Sequence, residues 1–423
     1  MLGKLLSVAI FLSAYALIAL LYEKKTLIVF AAVGLLLILK RITPIGAIRS
    51  IDWNVVMLYF GMLFVSEVFL FSKMPDFIAT RIVSKANRVG MAMLIICLFS
   101  GVLSIALENV AVVLLVSPIA LSISRKCDIN PVPLFIGMAI SANLQGAATL
   151  IGDPPSMLLA GFARMDFNDF FFFEGHPSIF FAIQAGAIFS GLVLYVLFTK
   201  YTTKMPVIPR ESYLFLTPTI LILFLIGTLV ISSSIHHDIE YLTGLVCFVF
   251  GLICFIWYLI KNNRKDVKLF LMKLDWQTGI FLIEIFILVE SLVVSGITKD
   301  VSHFVLRISK GSPFLTYQVI VWMSVLLSAF IDNVPFLAAM LPVIRTITVN
   351  MGIDPYPFFF GLLVGASVGG NITPIGASAN IVAMGIMRKQ GYDVRFFEFV
   401  RIGLPFSIVA VLTGSMFIWF FSV

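Results

Sequence analysis

At 423 residues, 60% hydrophobic and only 12% charged, the chain carries more apolar surface than a soluble fold can hide, because a soluble protein must cover its outside with polar groups. Its mean hydropathy of +1.07 and its repeated apolar runs, long enough to cross roughly 30 Å of hydrocarbon, make it an integral membrane protein. The net charge of +7 does not point to nucleic acid, since the bases lie in short loops between apolar runs, where they set orientation.

In chain order, the first apolar run, 5–21, follows a single Lys4 and reads directly into a span, with no cleavable signal peptide evident. Further spans are expected at 26–40, 53–71, 132–163, 178–199, 213–233, 240–260, 275–295, 356–387 and 402–421. Two more runs, 90–124 and 314–349, are each interrupted by an acid–amide pair and read as re-entrant hairpins. Such backbone is tolerated at membrane depth only where protein or a wet cavity surrounds it. The segment 261–273, with Lys261, Arg264, Lys265, Lys268 and Lys273, belongs inside, and His236–Glu240, without Lys or Arg, belongs outside. Propagated through ten crossings, this places most Lys and Arg inside and both termini outside, although Lys40, Arg41 and Arg49 fall on the outer side. The expected location is a bacterial or archaeal plasma membrane. Cys97, Cys127, Cys247 and Cys254 have neither metal-ligand spacing nor a disulfide framework and read as packing residues. His236-His237 reads as a wet loop rather than a metal site, and the Phe-rich stretch 170–173 as an interfacial anchor.

An internal repeat organises the chain. At an offset of 224, Asn109 falls on Asn333, Pro118 on Pro342, Gly137 on Gly361, Gly146 on Gly370, Thr149 on Thr373 and Gly152 on Gly376. At an offset of 223, Asp52-Trp53 and Glu67 fall on Asp275-Trp276 and Glu290. The predicted fold is therefore an all-α membrane protein of two repeats, 1–205 and 206–423. Each half would hold five crossings, including a broken helix (132–163; 356–387), plus a re-entrant hairpin (90–124; 314–349). Five crossings is odd, so the second repeat is inverted relative to the first, the architecture of many secondary transporters with midplane sites.

Two constellations carry the chemistry. The hairpin tips read Glu108-Asn109-Val110 and Asp332-Asn333-Val334-Pro335. A carboxylate within the bilayer is costly unless it faces a cavity or binds a proton or cation; a bland alternative is helix capping, which is compatible with ion binding. The breaks read Gly146 to Ser156 and Gly370 to Asn380. Glycine permits close approach and proline removes donors, so each break should expose carbonyls at one end and a half-helix N-terminus at the other. Carbonyls and hydroxyls suit Na⁺, and the N-terminus suits an anionic oxygen. The candidate binding residues are Glu108, Asn109, Asn143, Thr149, Gly152, Asp153, Ser156, Asp332, Asn333, Asn371, Thr373, Gly376, Ser378 and Asn380. Na⁺ is assigned to Asn109, Thr149, Gly152, Asn333, Thr373 and Gly376. Asn143 reads equally as an amide ligand or an interhelical hydrogen bond. Asp153, whose repeat partner is Ala377, serves one site only. Glu67 and Glu290 read either as proton relays or as solvated helix ends.

The strings TLIGDPPS (149–156), DNVPF (332–336) and GGNITPIGASANIV (369–382) resemble the ion-transporter superfamily, with a citrate-transporter-like fold. Within it the chain looks most like the arsenite permease, sodium–proton antiporter and P-protein branch. The resemblance covers both repeats. It implies hairpin tips at Glu108–Val110 and Asp332–Val334, Na⁺-site loops at Thr149–Ser156 and Thr373–Asn380, and one domain moving against a scaffold, often in a dimer. Acids replace the tip serines of the superfamily's dicarboxylate transporters, and no Arg or Lys falls at the predicted midplane. Two carboxylates would repel a multivalent anion and suit a cation, a proton or a neutral hydroxide. The expected activity is H⁺- or Na⁺-coupled transport of a small inorganic solute, Na⁺ or an arsenite-type hydroxide. The alternatives are Na⁺-coupled anion or carboxylate symport and, from another class, a channel or membrane enzyme, for which no nucleophile–base or metal spacing stands out. No cofactor is expected beyond bound Na⁺. The expected partners are the small solute and membrane lipid, not nucleic acid, with a homodimer and an energising ATPase subunit left open.

Overall fold

The computed structural model describes residues 2–21, 24–205, 212–235, 241–262 and 267–421. The outer loop 236–240, Arg264, Lys265 and the start of the second half at 206 lie outside them. The first half carries α1 (Leu2–Leu20), α2 (Lys25–Ile38), α3 (Pro44–Ser50), α4 (Trp53–Phe71), α5 (Met74–Val83), α6 (Val89–Ser104), α7 (Asn109–Lys126), α8 (Val132–Gly146), α9 (Pro154–Ala163) and α10 (Ile179–Phe198). The second carries α11 (Thr217–Ile235), α12 (Leu242–Lys261), α13 (Val267–Lys273), α14 (Trp276–Val294), α15 (Ile297–Ile308), α16 (Pro313–Ser328), α17 (Asn333–Met351), α18 (Tyr356–Gly369), α19 (Ser378–Lys389) and α20 (Phe396–Phe421). The starts of α3–α9 recur at α13–α19 with the sequence offsets: 44 + 223 = 267, 109 + 224 = 333 and 154 + 224 = 378. The short helices α3, α5, α13 and α15 are additions to the expected spans.

Local chemistry explains the boundaries. Asp52 and Asp275 each turn a carboxylate oxygen onto backbone N–H groups of the next turn, starting α4 and α14. Proline stands in the first turn of α5, α8, α9, α16 and α18, where its missing N–H is not needed. Pro118 and Pro342 lie inside α7 and α17 without ending them, so these hairpin limbs reach 18 and 19 residues. Among the described residues, eight helices are individually long and apolar enough to cross a membrane: α4, α7, α10, α11, α12, α14, α17 and α20. The expected set of spans contained neither α7 nor α17. It used instead α1, α2 and the two broken pairs; α2 has only 14 residues.

The half-helices form the centre. Nearly all of α8 and α18 is buried, while α10, α11 and α12 leave long apolar rows exposed, as lipid-facing helices do. The first-half tip helix α7 packs on α19, and α17 packs on α9, so each tip meets the other half's broken helix. Around them α4 pairs with α12, α2 with α14, and α10 with α20. The α4–α12 approach depends on Gly61, where an added Cβ would stand 2.3 Å from the Cys247 carbonyl oxygen. The expected anchor at 170–173 is mostly internal: Phe170 is buried and Phe173 stacks on Tyr356 at 4.1 Å between centroids, leaving Phe172 exposed. Phe172–Phe173 also pair with His176–Pro177 as a short antiparallel hairpin.

Candidate functional site

Both tips cap helices, a role compatible with ion binding. Glu108 Oε2 accepts from Ala111 N at 3.0 Å, and Asp332 Oδ1 accepts from Val334 N at 3.1 Å. Capping uses one oxygen of each carboxylate in these contacts. The tips are tied to the breaks in the same way in both halves: Thr149 Oγ1 donates to the Ile105 carbonyl and Thr373 Oγ1 to the Ala329 carbonyl. The glycines hold these surfaces together. A Cβ on Gly152 would stand 2.3 Å from the Gly146 oxygen and 2.8 Å from the Ser104 oxygen; on Gly376 it would stand 2.5 Å from Gly370 oxygen and 2.8 Å from Ser328 oxygen. Carbonyl oxygens thus converge beside each tip.

Four buried amides join the two breaks. Asn109 Nδ2 donates to Asn143 Oδ1 (3.3 Å), and Asn143 Nδ2 donates to Asn371 Oδ1 (2.8 Å) and Asn380 Oδ1 (2.9 Å). Asn143 is therefore an interhelical hub linking the halves. Asn109 Oδ1 accepts from Ser104 Oγ (2.5 Å) and lies against Gly146. Asn109 and Asn333 both line a cavity, but the atoms nearest Gly370 are those of Gly376 and Ala377 and not the tip amide.

The breaks differ electrostatically. Asp153, fully buried, caps α9 by accepting from Ser156 N and Ser156 Oγ at Oδ1, and the Asn109 amide faces the same carboxylate. In the second break, Ala377 stands where Asp153 would, and Asn380 donates to the Gly370 and Thr373 carbonyls, 3.0 Å each. Ser378 heads α19 and lines the cavity.

That cavity, of about 20 Å³, is lined by Lys25, Glu108, Asn109, Asn143, Asn333 and Thr278, together with residues opening α9, α17 and α19. It has room for one water-sized particle. Lys25 corrects the expectation that no cation stands at the site. It is 6% exposed, its Nζ lies 3.6 Å from Asp332 Oδ2 and 4.9 Å from the Phe281 ring centre. A Lys at a span start reads as a loop charge in sequence, and only the α2–α14–α17 packing brings it inward. Tyr15 of α1 adds a second grip on this tip, donating its hydroxyl to the Pro335 carbonyl.

Glu67, itself largely buried, lies 3.8 Å from the exposed Lys273 ammonium, and Glu290 is partly buried. The acid that sequence reasoning missed is Glu284, buried in mid-α14 with Oε2 unpartnered among the described residues. It occupies the repeat position of Gly61 (61 + 223 = 284), so the repeat comparison gave no acid pair; its central place in an apolar span was the available signal.

Twenty helices among the described residues, two capped tips and two broken helices closing on one small polar cavity define a membrane transporter. The chain belongs to the CitMHS citrate transporter family, whose model matches residues 15–365 and again 305–423. It is similar to an uncharacterized transporter of Mycobacterium tuberculosis, 26% identical over 98% of both chains. It is also similar to the P protein of Homo sapiens, 26% identical over 98% of this chain and 59% of that one. The fold resembles the crystal structure of the Alcanivorax borkumensis YdaH transporter, with a TM-score of 0.59 at 12% identity, covering 98% of this chain and 97% of that.

Proposed function

We propose that the protein is a secondary active transporter that moves a small inorganic solute, Na⁺ or an arsenite-type hydroxide, coupled to H⁺ or Na⁺ by alternating access. The observation that carries this reading is the water-sized cavity between Glu108, Asn109 and Asn333. Carboxylate, amide and backbone carbonyl oxygens form a hard-donor set that suits Na⁺, and the carboxylates also take protons. Coupling then follows from competition, because a proton on Glu108 and a cation at the same oxygens cannot both be favoured. Na⁺ would use Asn109, Thr149 and Gly152 in the first half and Asn333, Thr373 and Gly376 in the second. The halves 1–205 and 206–423 act as inverted repeats in this reading, in a plasma membrane with both termini outside. A second copy of the chain and surrounding lipid are its expected partners.

A second reading, Na⁺-coupled import of a carboxylate anion, is favoured by Lys25, whose ammonium offsets one tip charge, and by the family's description. The two readings separate in proteoliposomes. Uptake of radioactive Na⁺ or arsenite driven by an imposed pH gradient is expected; Na⁺-dependent citrate or succinate uptake without it would transfer the assignment to the second reading.

A further inference from the structure

The two half-sites share a backbone plan, but their charges are not equivalent. In the second half, the Asp332 carboxylate faces the Lys25 ammonium at 3.6 Å. The Asn380 amide group donates to the Gly370 and Thr373 carbonyls. A cation and an N–H donor of the chain itself therefore address the groups that would hold a metal ion. In the first half, Ser156, at the repeat position of Asn380 (156 + 224 = 380), gives its hydroxyl to Asp153 instead. Glu108 shares the cavity with Lys25, which acts on it from beyond ion-pair distance, as does Asp275; Asp153 has no ammonium or guanidinium within ion-pair distance among the described residues.

We propose that Lys25 is a resident counter-ion occupying the Asp332 half-site, and that the exchangeable Na⁺ is taken only by the first half-site, at Glu108 and Asn109 beside Asp153. The inference rests on the cation reading above and narrows its two Na⁺ half-sites to the one in the first half. Lys25 enters from α2 of the first half and Asp332 from α17 of the second, so the pair bridges the two halves. The titratable groups facing Asp332 are Lys25 and, from α1, Tyr15, which bonds the neighbouring Pro335 carbonyl. The other elements packed on α17, namely α9, α14, α15, α16 and α18, bring no basic group within ion-pair distance of Asp332 among the described residues. Removing one partner of a buried pair leaves an uncompensated charge, which is far more costly than removing both.

The test uses the purified full-length protein. Unfolding temperature is measured at one pH for the wild type, Lys25→Met, Asp332→Asn and the double variant. Lys25→Met is expected to lower Tm, and adding Asp332→Asn to restore most of the loss. Strictly additive effects of the two substitutions would overturn the counter-ion. Should Lys25→Met alone not fold, the double variant is expected to fold, and its failure would count against the pair.

Equilibrium dialysis with radioactive Na⁺ then counts sites. One site is expected in the wild type, none in Glu108→Gln and two in Lys25→Met. Two sites in the wild type, or no added site in a folded Lys25→Met protein while the wild type binds one, would overturn the inequivalence. A wild type that binds no Na⁺ yet shows the Lys25–Asp332 coupling would instead sink the Na⁺ form of the functional reading and leave the counter-ion standing.

Discussion

Asn143 contributes both ends of its amide to the junction between the halves, accepting from Asn109 and donating to Asn371 and Asn380. Asn143→Ala strips a partner from three buried amides at once. Each orphaned group costs about 1–3 kcal/mol, so a clear drop in Tm and loss of transport are expected; unchanged stability would mean that water replaces the hub. Glu284 tests a different role. A buried carboxylate in a span is by default functional, and Glu284→Gln keeps its shape while removing the proton. The expected result is a changed pH profile of transport at nearly wild-type stability; an identical profile would reduce Glu284 to packing. These residues were unequally legible. Asn109, Asn143, Asn371 and Asn380 stand in motifs and were singled out from sequence. Lys25 and Glu284 were not, because a span-end lysine resembles a loop charge and a lone acid has no repeat partner. Their roles arise from α2 and α14 packing side by side, which no local pattern encodes.

At the scale of elements, the breaks depend on glycine because backbone meets backbone there. Gly152→Ala would drive a methyl to 2.3 Å from the Gly146 oxygen, and Gly376→Ala to 2.5 Å from the Gly370 oxygen. Neither neighbour is a flexible side chain, so each substitution should cost roughly 1–3 kcal/mol and displace the carbonyls from the tip. Reduced thermal stability is expected in both variants, and lost Na⁺ stabilisation in Gly152→Ala alone. Wild-type behaviour in either variant would show that the break relaxes without consequence. Breaks and tips were legible because Gly, Pro and Asn leave strong local signals. The helices α3, α5, α13 and α15 were not, since a helix of 7–12 residues beside long apolar runs shows too few turns for its period to stand out. Pro118 and Pro342 are carried inside the continuous helices α7 and α17.

Across the whole molecule, the repeat was visible as a fixed register, yet sequence alone suggested two matching acidic sites. Packing makes them unlike: α1 and α2 bring Tyr15 and Lys25 to the second tip, whereas the first half keeps Glu108 and Asp153 without a basic neighbour at ion-pair distance among the described residues. Cargo preference then follows from charge and room. A cavity of about 20 Å³ beside a carboxylate has room for one small ion on the proposed reading, and a larger solute would require the tips to part. If H⁺ and Na⁺ compete at Glu108, protonation must be reversed before Na⁺ can bind, so apparent Na⁺ affinity should weaken as pH falls. The most direct measurement of that claim is proton release when Na⁺ is added to the purified protein in weakly buffered solution. The expected result is release that saturates with Na⁺ and disappears in Glu108→Gln; Na⁺ binding without proton release, or release unchanged in Glu108→Gln, would contradict it.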